Sequence, residues 1–70
     1  MTGEELKKIR KEVFGLTQAE FGEVIHRKLT TIHSWENNSR PIPEYMDEYI
    51  RMLAEKEMER KMAKYKGTTS

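Results

Sequence analysis

Residues 17–37 read TQAEFGEVIHRKLTTIHSWEN and decide the fold of this chain. Apolar residues recur there at steps of three and four, which is the spacing of one face of an α-helix. Thr17 and Glu20 have the spacing of a capping box, in which two side chains satisfy the first free backbone amides of a helix. The stretch therefore predicts one helix over residues 18–25 and a second over residues 28–37, joined by a short turn.

The glycine inside the first of these helices, Gly22, needs an explanation. A glycine in a helix interior costs about 1 kcal/mol relative to alanine. We expect the following helix to cross so close to Gly22 that a side chain has no room. Trp35 follows Ile32 by three residues on the apolar stripe, so we expect it in the core.

Another helix is predicted ahead of this pair. Thr2 and Glu5 have the spacing of a second capping box, and apolar residues follow them at helical spacing. Gly15 is a typical residue for a helix C-terminus, because glycine adopts the left-handed conformation without strain. The first helix should therefore cover about residues 3–13.

A fourth helix is predicted after Pro43, because helices accept proline in their first turn. Apolar residues give this helix an inner face as far as Leu53, and charged residues continue the helical spacing to about Lys64. We expect one all-α domain over residues 1–66, a compact bundle of four to five short helices. A flexible tail over residues 67–70 should follow it.

The composition of the 70-residue chain excludes several classes of protein. It has no cysteine, which rules out disulfides and thiolate zinc sites, and its net charge of +1 gives little indication of its partners. Positive charge is concentrated in residues 26–40, where Arg27, Lys28 and Arg40 stand against Glu36. No apolar run approaches the roughly 18 residues of a membrane span, and the first residues lack the apolar stretch of a signal peptide. We therefore expect a cytoplasmic protein without membrane contact.

Three segments resemble the lambda-repressor/Cro-like (XRE-type) helix-turn-helix family. They are LTQAEFG at residues 16–22, IHSWEN at residues 32–37 and the proline-bearing exit SRPIP at residues 39–43. The resemblance covers residues 6 to about 53. It implies a sequence-specific DNA-binding transcriptional regulator, a repressor that binds a two-fold operator on double-stranded DNA as a homodimer. The small size is similar to that of phage or mobile-element regulators, such as an anti-CRISPR-associated autorepressor.

The chain departs from the family pattern at the turn. The family usually has a glycine at the position of His26 and an apolar residue at that of Arg27. Histidine is among the residues tolerated at positive φ. Leu29 is expected to supply the missing buried contact, which would shift or rotate the start of the third helix.

The third helix is predicted to read DNA. Its outward positions carry short or polar side chains that fit a major groove, and residues around it are suited to phosphates. The resemblance also implies a structural ion pair between Arg10 and Glu36. The predicted base-contacting residues are Lys28, Leu29, Thr30, Thr31, His33 and Ser34, and the predicted phosphate-contacting residues are Thr17, Gln18, Arg27, Asn37, Asn38 and Arg40.

A homodimer is expected because a single recognition helix reads only a few base pairs. Two copies on a two-fold site would place the half-site centres about one helical turn, roughly 34 Å, apart. The fourth helix and its extension supply the candidate dimer surface. Its predicted residues are Tyr45, Tyr49, Met52, Leu53, Met58 and Met62.

A protein-interaction module is the main alternative, an antitoxin-like chain whose chief partner is another protein. The charged segment from Glu55 to Lys66 supports it, because a DNA-binding core does not need that segment; a solvated helix face is the simpler interpretation. An enzyme is not expected, because no nucleophile lies in a recognisable setting and so short a chain lacks the volume for a deep pocket. His26 and His33 lie seven residues apart without a cysteine, so no metal and no cofactor are expected.

Overall fold

The computed structural model describes the backbone of residues 1–69 and the side chains of residues 1–62. All regular secondary structure in this part of the chain is helical, which confirms the predicted all-α bundle. The elements in chain order are α1 (Gly3–Lys8), a π-helical segment (Ile9–Phe14), α2 (Gln18–Ile25), α3 (Leu29–Glu36) and α4 (Glu44–Thr69).

The first helix begins and ends as the sequence predicts, but its winding changes midway. The Thr2 hydroxyl accepts the Glu5 amide at 3.1 Å, and the Glu5 carboxylate accepts the Thr2 amide at 3.0 Å, which completes the capping box. After Lys8 the chain continues as a π-helix to Phe14. It stops at Gly15, whose φ of 64° lies in the left-handed region.

The pair of α2 and α3 forms around a turn at His26. Thr17 and Glu20 make the second capping box, with bonds of 3.2 and 2.9 Å. His26 ends α2 in the left-handed conformation, with φ 58° and ψ 47°, as its tolerance of positive φ allows. α3 begins at Leu29, and Lys28, its N-cap residue, makes no side-chain capping bond.

Gly22 lies against the turn and not against the following helix. A Cβ atom on Gly22 would lie 2.5 Å from the carbonyl oxygen of Arg27, whereas the Cγ1 atom of Ile32 in α3 would be at an ordinary 3.7 Å. The expectation that α3 crosses closely at Gly22 is therefore wrong. The backbone of the turn excludes a side chain here, and the Arg27 amide donates to the Gly22 carbonyl at 2.8 Å.

The core lies between all four helices. The rings of Phe14 and Phe21 pack with centroids 5.3 Å apart and planes tilted by 55°, a favourable aromatic arrangement. Trp35 is 5 % exposed, which confirms its predicted place in the core. The buried residues of this cluster are Leu6, Phe21, Ile25, Ile32, Trp35, Met46 and Ile50.

At the turn, the position where an apolar residue was expected is occupied by a side chain of a different kind. Leu29 is 50 % exposed, so the prediction that it supplies the buried contact is wrong. Arg27 is half-buried, and its guanidinium donates to the His26 carbonyl at 2.9 Å and to the Met46 sulfur at 3.6 Å. An arginine stem covers apolar surface while its head group stays hydrogen-bonded. Arg27 itself therefore occupies the position at which an apolar residue was expected.

α4 packs against the bundle with its first half. Met46, Ile50 and Ala54 are buried at helical spacing on its inner face. The ammonium group of Lys61 still donates to the carbonyl of Val13, and beyond it the helix projects from the bundle. Met58 and Met62 are 48 % and 62 % exposed. The projection explains why the longest dimension of the molecule, 46 Å, is more than twice either of the others, 21 and 19 Å.

The length of α4 differs from the prediction. The helix has 26 residues and continues to Thr69, past its predicted end near Lys64, so the bundle does not consist of short helices alone. The predicted tail of residues 67–70 starts inside this helix, and Ser70 lies outside the described residues. None of the helices in the described part of the chain is both long enough and apolar enough to span a membrane.

Candidate nucleic-acid interface

The outward side of α3 carries the residues that the sequence assigns to base contacts. The side opposite the core is short and largely polar, and it includes one exposed apolar side chain, that of Leu29. Because successive helix residues turn by about 100°, the buried positions Ile32 and Trp35 direct Thr30 and Ser34 away from the bundle. Lys28, Leu29, Thr30 and His33 are exposed, whereas Thr31 and Ser34 are half-buried.

Two of the predicted phosphate-contacting residues at the start of α2 make bonds inside the protein. The Thr17 hydroxyl caps α2 by accepting the Glu20 amide. The Gln18 side-chain amide donates to the Glu36 carboxylate at 3.1 Å, so it ties the start of α2 to the end of α3. A phosphate bound at Gln18 would therefore have to compete with Glu36 for the side-chain amide of Gln18 or share it.

Two of the three residues after α3 that were predicted to contact phosphate also make hydrogen bonds inside the protein. Asn38 has a φ of 63°, and its side-chain oxygen accepts the Gly3 amide at 3.0 Å, which joins α1 to the end of α3. The side-chain oxygen of Asn37 accepts the Ser39 amide at 2.9 Å. Asn37, Asn38 and Arg40 are all exposed, and among the hydrogen bonds of the described residues none comes from the side chain of Arg40.

Arg10 and Glu36 form a bidentate ion pair inside the bundle. Arg10 Nε donates to one Glu36 oxygen at 2.7 Å and Nη2 to the other at 3.0 Å, while Nη1 donates to the Leu16 carbonyl at 2.8 Å. The two side chains are 7 % and 5 % exposed. The pair fixes the π-helical segment to the C-terminal end of α3, since a planar guanidinium holds a carboxylate in one orientation.

The pKa of Glu36 reflects this environment. Burial alone would raise the pKa of its carboxyl group, but hydrogen bonds from Arg10 and Gln18 and the positive charges of Arg10 and Lys7 hold it below its ordinary value. Glu36 is therefore ionised at neutral pH, as the bidentate pair requires. The contribution of Lys7 also indicates that its ammonium group lies near the end of α3.

Gly3 brings α1 against α3, a contact that the sequence analysis missed. A Cβ atom on Gly3 would lie 2.4 Å from the carbonyl oxygen of Trp35 and 2.5 Å from that of Glu36. Any larger residue would therefore push α1 away from the last turn of α3. A glycine next to the capping residue Thr2 is the one sequence signal of this contact, and it is ambiguous because glycine is common near helix ends.

The close packing of α1 on α3 creates a groove that the sequence analysis also missed. Lys7 and Lys11 line it from the α1 side, and His33 lines it from α3. Both lysines are exposed. The full lining is Lys7, Arg10, Lys11, Gln18, His33, Glu36 and Asn37. We name this set of residues the α1–α3 groove; it adjoins the outward side of α3 because His33 belongs to both.

The predicted dimer residues lie on two parts of α4. Tyr45, Tyr49 and Met52 follow one another at steps of four and three and share one side of the helix. Tyr45 and Met52 are 63 % and 44 % exposed, and Tyr49 is half-buried. Leu53 is half-buried against the core cluster, whereas Met58 and Met62 lie on the projecting half.

Comparisons with known protein families, with curated proteins and with solved structures find no match for this chain. The fold therefore defines the class of protein: a small all-α bundle in which two eight-residue helices, α2 and α3, are joined by a short turn. The outward side of α3 and the adjoining groove are its candidate functional surface.

Proposed function

We propose that this protein is a sequence-specific DNA-binding transcriptional regulator of the lambda-repressor/Cro-like type, a repressor that binds a two-fold operator as a homodimer. The observation that carries the proposal is the outward side of α3, where exposed Thr30 and His33 lie beside exposed Lys28 on a helix whose other side is buried. We also propose that it acts in the cytoplasm and controls genes of a phage or mobile element.

The size of α3 fits this function. An α-helix with its side chains is about 10–12 Å across, close to the width of the DNA major groove, and the eight residues of α3 form just over two turns of such a helix. Thr30 and His33 can donate to and accept from base edges, and the exposed Leu29 side chain can contact a thymine methyl group. Lys28, at the N-terminus of α3, is a cation that can reach either a guanine edge or a phosphate.

The bonds inside the bundle support the same function. The Arg10–Glu36 pair and the Gln18–Glu36 bond attach the π-helical segment and α2 to a single carboxylate of α3. A recognition helix must be held in a fixed orientation, because base contacts depend on hydrogen-bond geometry. The bonds of Arg10 and Gln18 to Glu36 provide that rigidity at the C-terminal end of α3.

The test is selection of bound duplexes from a random DNA pool by the full chain. We expect an enriched palindrome, and the joint variant Thr30→Ala/His33→Ala should change or lose it. The control variant Lys56→Ala removes an exposed charge from α4 and should select the same palindrome. Lack of any enriched sequence, together with binding that does not weaken as salt rises, would refute the proposal, because phosphate contacts release counterions.

A different class of function has one observation in its favour. The second half of α4 projects from the bundle and exposes Met58 and Met62, which a DNA-binding core does not need. This surface could hold another protein, as in an antitoxin, instead of a second copy. Sedimentation equilibrium separates these alternatives: a dimer that Met58→Lys/Met62→Lys converts to monomer supports the homodimer, and a monomer at all concentrations supports a different partner.

A further inference from the structure

The α1–α3 groove has the chemistry of an anion site. Lys7, Arg10 and Lys11 line it against one carboxylate, that of Glu36, which the Arg10 guanidinium already satisfies. Among the side chains that the structure describes, neither Lys7 nor Lys11 takes part in an ion pair. The groove therefore keeps an excess of positive charge.

Two neutral groups in the groove can add hydrogen-bond donors. The side-chain oxygen of Asn37 accepts the Ser39 amide, which leaves its NH₂ group as the part that can serve a ligand. His33 is exposed and has a ring nitrogen that can donate. Lysine ammonium groups and neutral N–H donors are both common partners of phosphate oxygens in proteins.

Lys7 and Lys11 differ from their neighbour Lys8 in what surrounds them. Lys7 in α1 and Lys11 in the π-helical segment line the same groove, so their like charges repel each other. Lys8 stands four residues after Glu4 in α1, where opposite charges attract. Lys8 is also exposed, but it does not line the groove. An anion in the groove would relieve the repulsion between Lys7 and Lys11.

We infer that Lys7 and Lys11 bind a DNA backbone phosphate in the α1–α3 groove, outside the helix-turn-helix itself. The inference rests on the proposed function. His33 belongs both to the groove and to the outward side of α3, so a phosphate in the groove lies directly beside the bases that α3 reads. The contact sets how deeply the C-terminal end of α3 enters the major groove, but it carries no sequence information.

The test compares two variants of equal charge on the operator obtained by selection. Lys7→Ala/Lys11→Ala removes both groove lysines, and the control Lys8→Ala/Lys56→Ala removes two exposed lysines outside it. Each neutralised phosphate contributes about 0.9 to the slope of log K against log salt. A dimer has one such groove in each half-site, so the groove variant should lose about 1.8 in slope and bind about 30-fold more weakly at 0.15 M salt. The control should keep the wild-type slope.

A second measurement locates the phosphate. Uncharged methylphosphonate linkages placed one at a time along the operator should weaken the wild type at one backbone position per half-site that has no effect in the groove variant. Both variants should melt within a few degrees of the wild type, because neither lysine pair is buried. Equal slopes for groove and control variants on an operator that the wild type binds would overturn this inference and leave the proposed function intact. Failure of the wild type to bind any duplex would overturn both.

Discussion

Replacing Glu36 by alanine should strongly destabilise the protein, because it leaves the guanidinium of Arg10 buried without its partner. Arg10 is 6 % exposed, and two of its hydrogen bonds end on Glu36. Breaking a buried ion pair by removal of one partner costs about 3–5 kcal/mol. A domain of 70 residues has roughly 4–10 kcal/mol of stability in total. Glu36→Ala should therefore remove between a third and all of it.

The assay is urea unfolding, followed by the fluorescence of Trp35, the single tryptophan of the chain, and by helical circular dichroism. With an unfolding slope of about 1 kcal/mol per molar urea, the midpoint should fall by about 3 M or more. The control Glu57→Ala breaks an exposed ion pair with Arg60, and a surface pair contributes less than about 1 kcal/mol. Its midpoint should fall by less than 1 M.

A double variant keeps the reasoning testable even if Glu36→Ala does not fold. Arg10→Met/Glu36→Leu removes both charges and fills the space with apolar atoms, an exchange that is often neutral or stabilising. The Leu16 carbonyl loses the Arg10 donor, at a cost of about 1 kcal/mol. The double variant should be at least 2 kcal/mol more stable than Glu36→Ala. A loss of less than 1 kcal/mol of unfolding free energy in Glu36→Ala, or a double variant no more stable than Glu36→Ala, would show that the ion pair does not stabilise the bundle.

Three further outcomes are expected. His33→Ala should cost about 1–3 kcal/mol at one base pair of the selected operator, measured by binding to single-base operator variants; a uniform loss at every position would contradict a base contact. Arg40→Ala should weaken binding to all sequences alike, and relaxed preference at a single base pair would show that the phosphate assignment is wrong. The free energy of unfolding should be constant above about pH 5 and fall below it, because the pKa of Glu36 is lowered in the folded state and its contribution is lost as that carboxylate becomes protonated. Thermal unfolding measured over a series of acidic pH values checks this. The variant Glu36→Gln should depend less on pH.

The parts of the fold that short-range interactions determine could be predicted from the sequence. The capping boxes at Thr2 and Thr17 each depend on residues three apart, and both form. Gly15 stops the first helix, because the left-handed conformation is a property of that residue. His26 takes the same conformation for a related reason, since histidine tolerates it better than most side chains.

The parts that depend on long-range contacts could not be predicted in the same way. Gly3 matters because the backbone oxygens of Trp35 and Glu36, more than thirty residues away, lie against it. The only sign of that neighbour in the sequence is the glycine itself, which is ambiguous because glycine is common near helix ends. The turn has the same difficulty: the guanidinium of Arg27 donates to the sulfur of Met46 in α4, nineteen residues away along the chain. Arg27 therefore occupies the place of the buried contact that was expected from Leu29, and no short-range pattern in the sequence shows this.

The same distinction between short-range and long-range interactions applies to the candidate site. The outward side of α3 follows from periodicity, because Ile32 and Trp35 must be buried and Thr30 must then face outward. The phosphate assignments at Gln18 and Asn38 rested on residue type and on position near a helix end, and both side chains have bonds inside the protein. A polar residue near a helix end can serve the protein or a ligand, and sequence does not separate the two.

The arginine and lysine side chains have different roles, which follow from the chemistry of their charged groups. Arg10 and Arg27 are turned inward, where a planar guanidinium with several donors can satisfy a carboxylate, carbonyl oxygens or a sulfur at once. Lys7, Lys11 and Lys28 are exposed, as compact and strongly hydrated charges should be. Exchanging Lys7 or Lys11 for alanine should therefore change affinity for an anion without affecting the fold, whereas exchanging Arg10 should destabilise the fold itself. A net charge of +1 understates the potential of this protein to bind a phosphate backbone, because the exposed lysines near α3 are grouped and the acidic residues of α4 lie elsewhere along the chain.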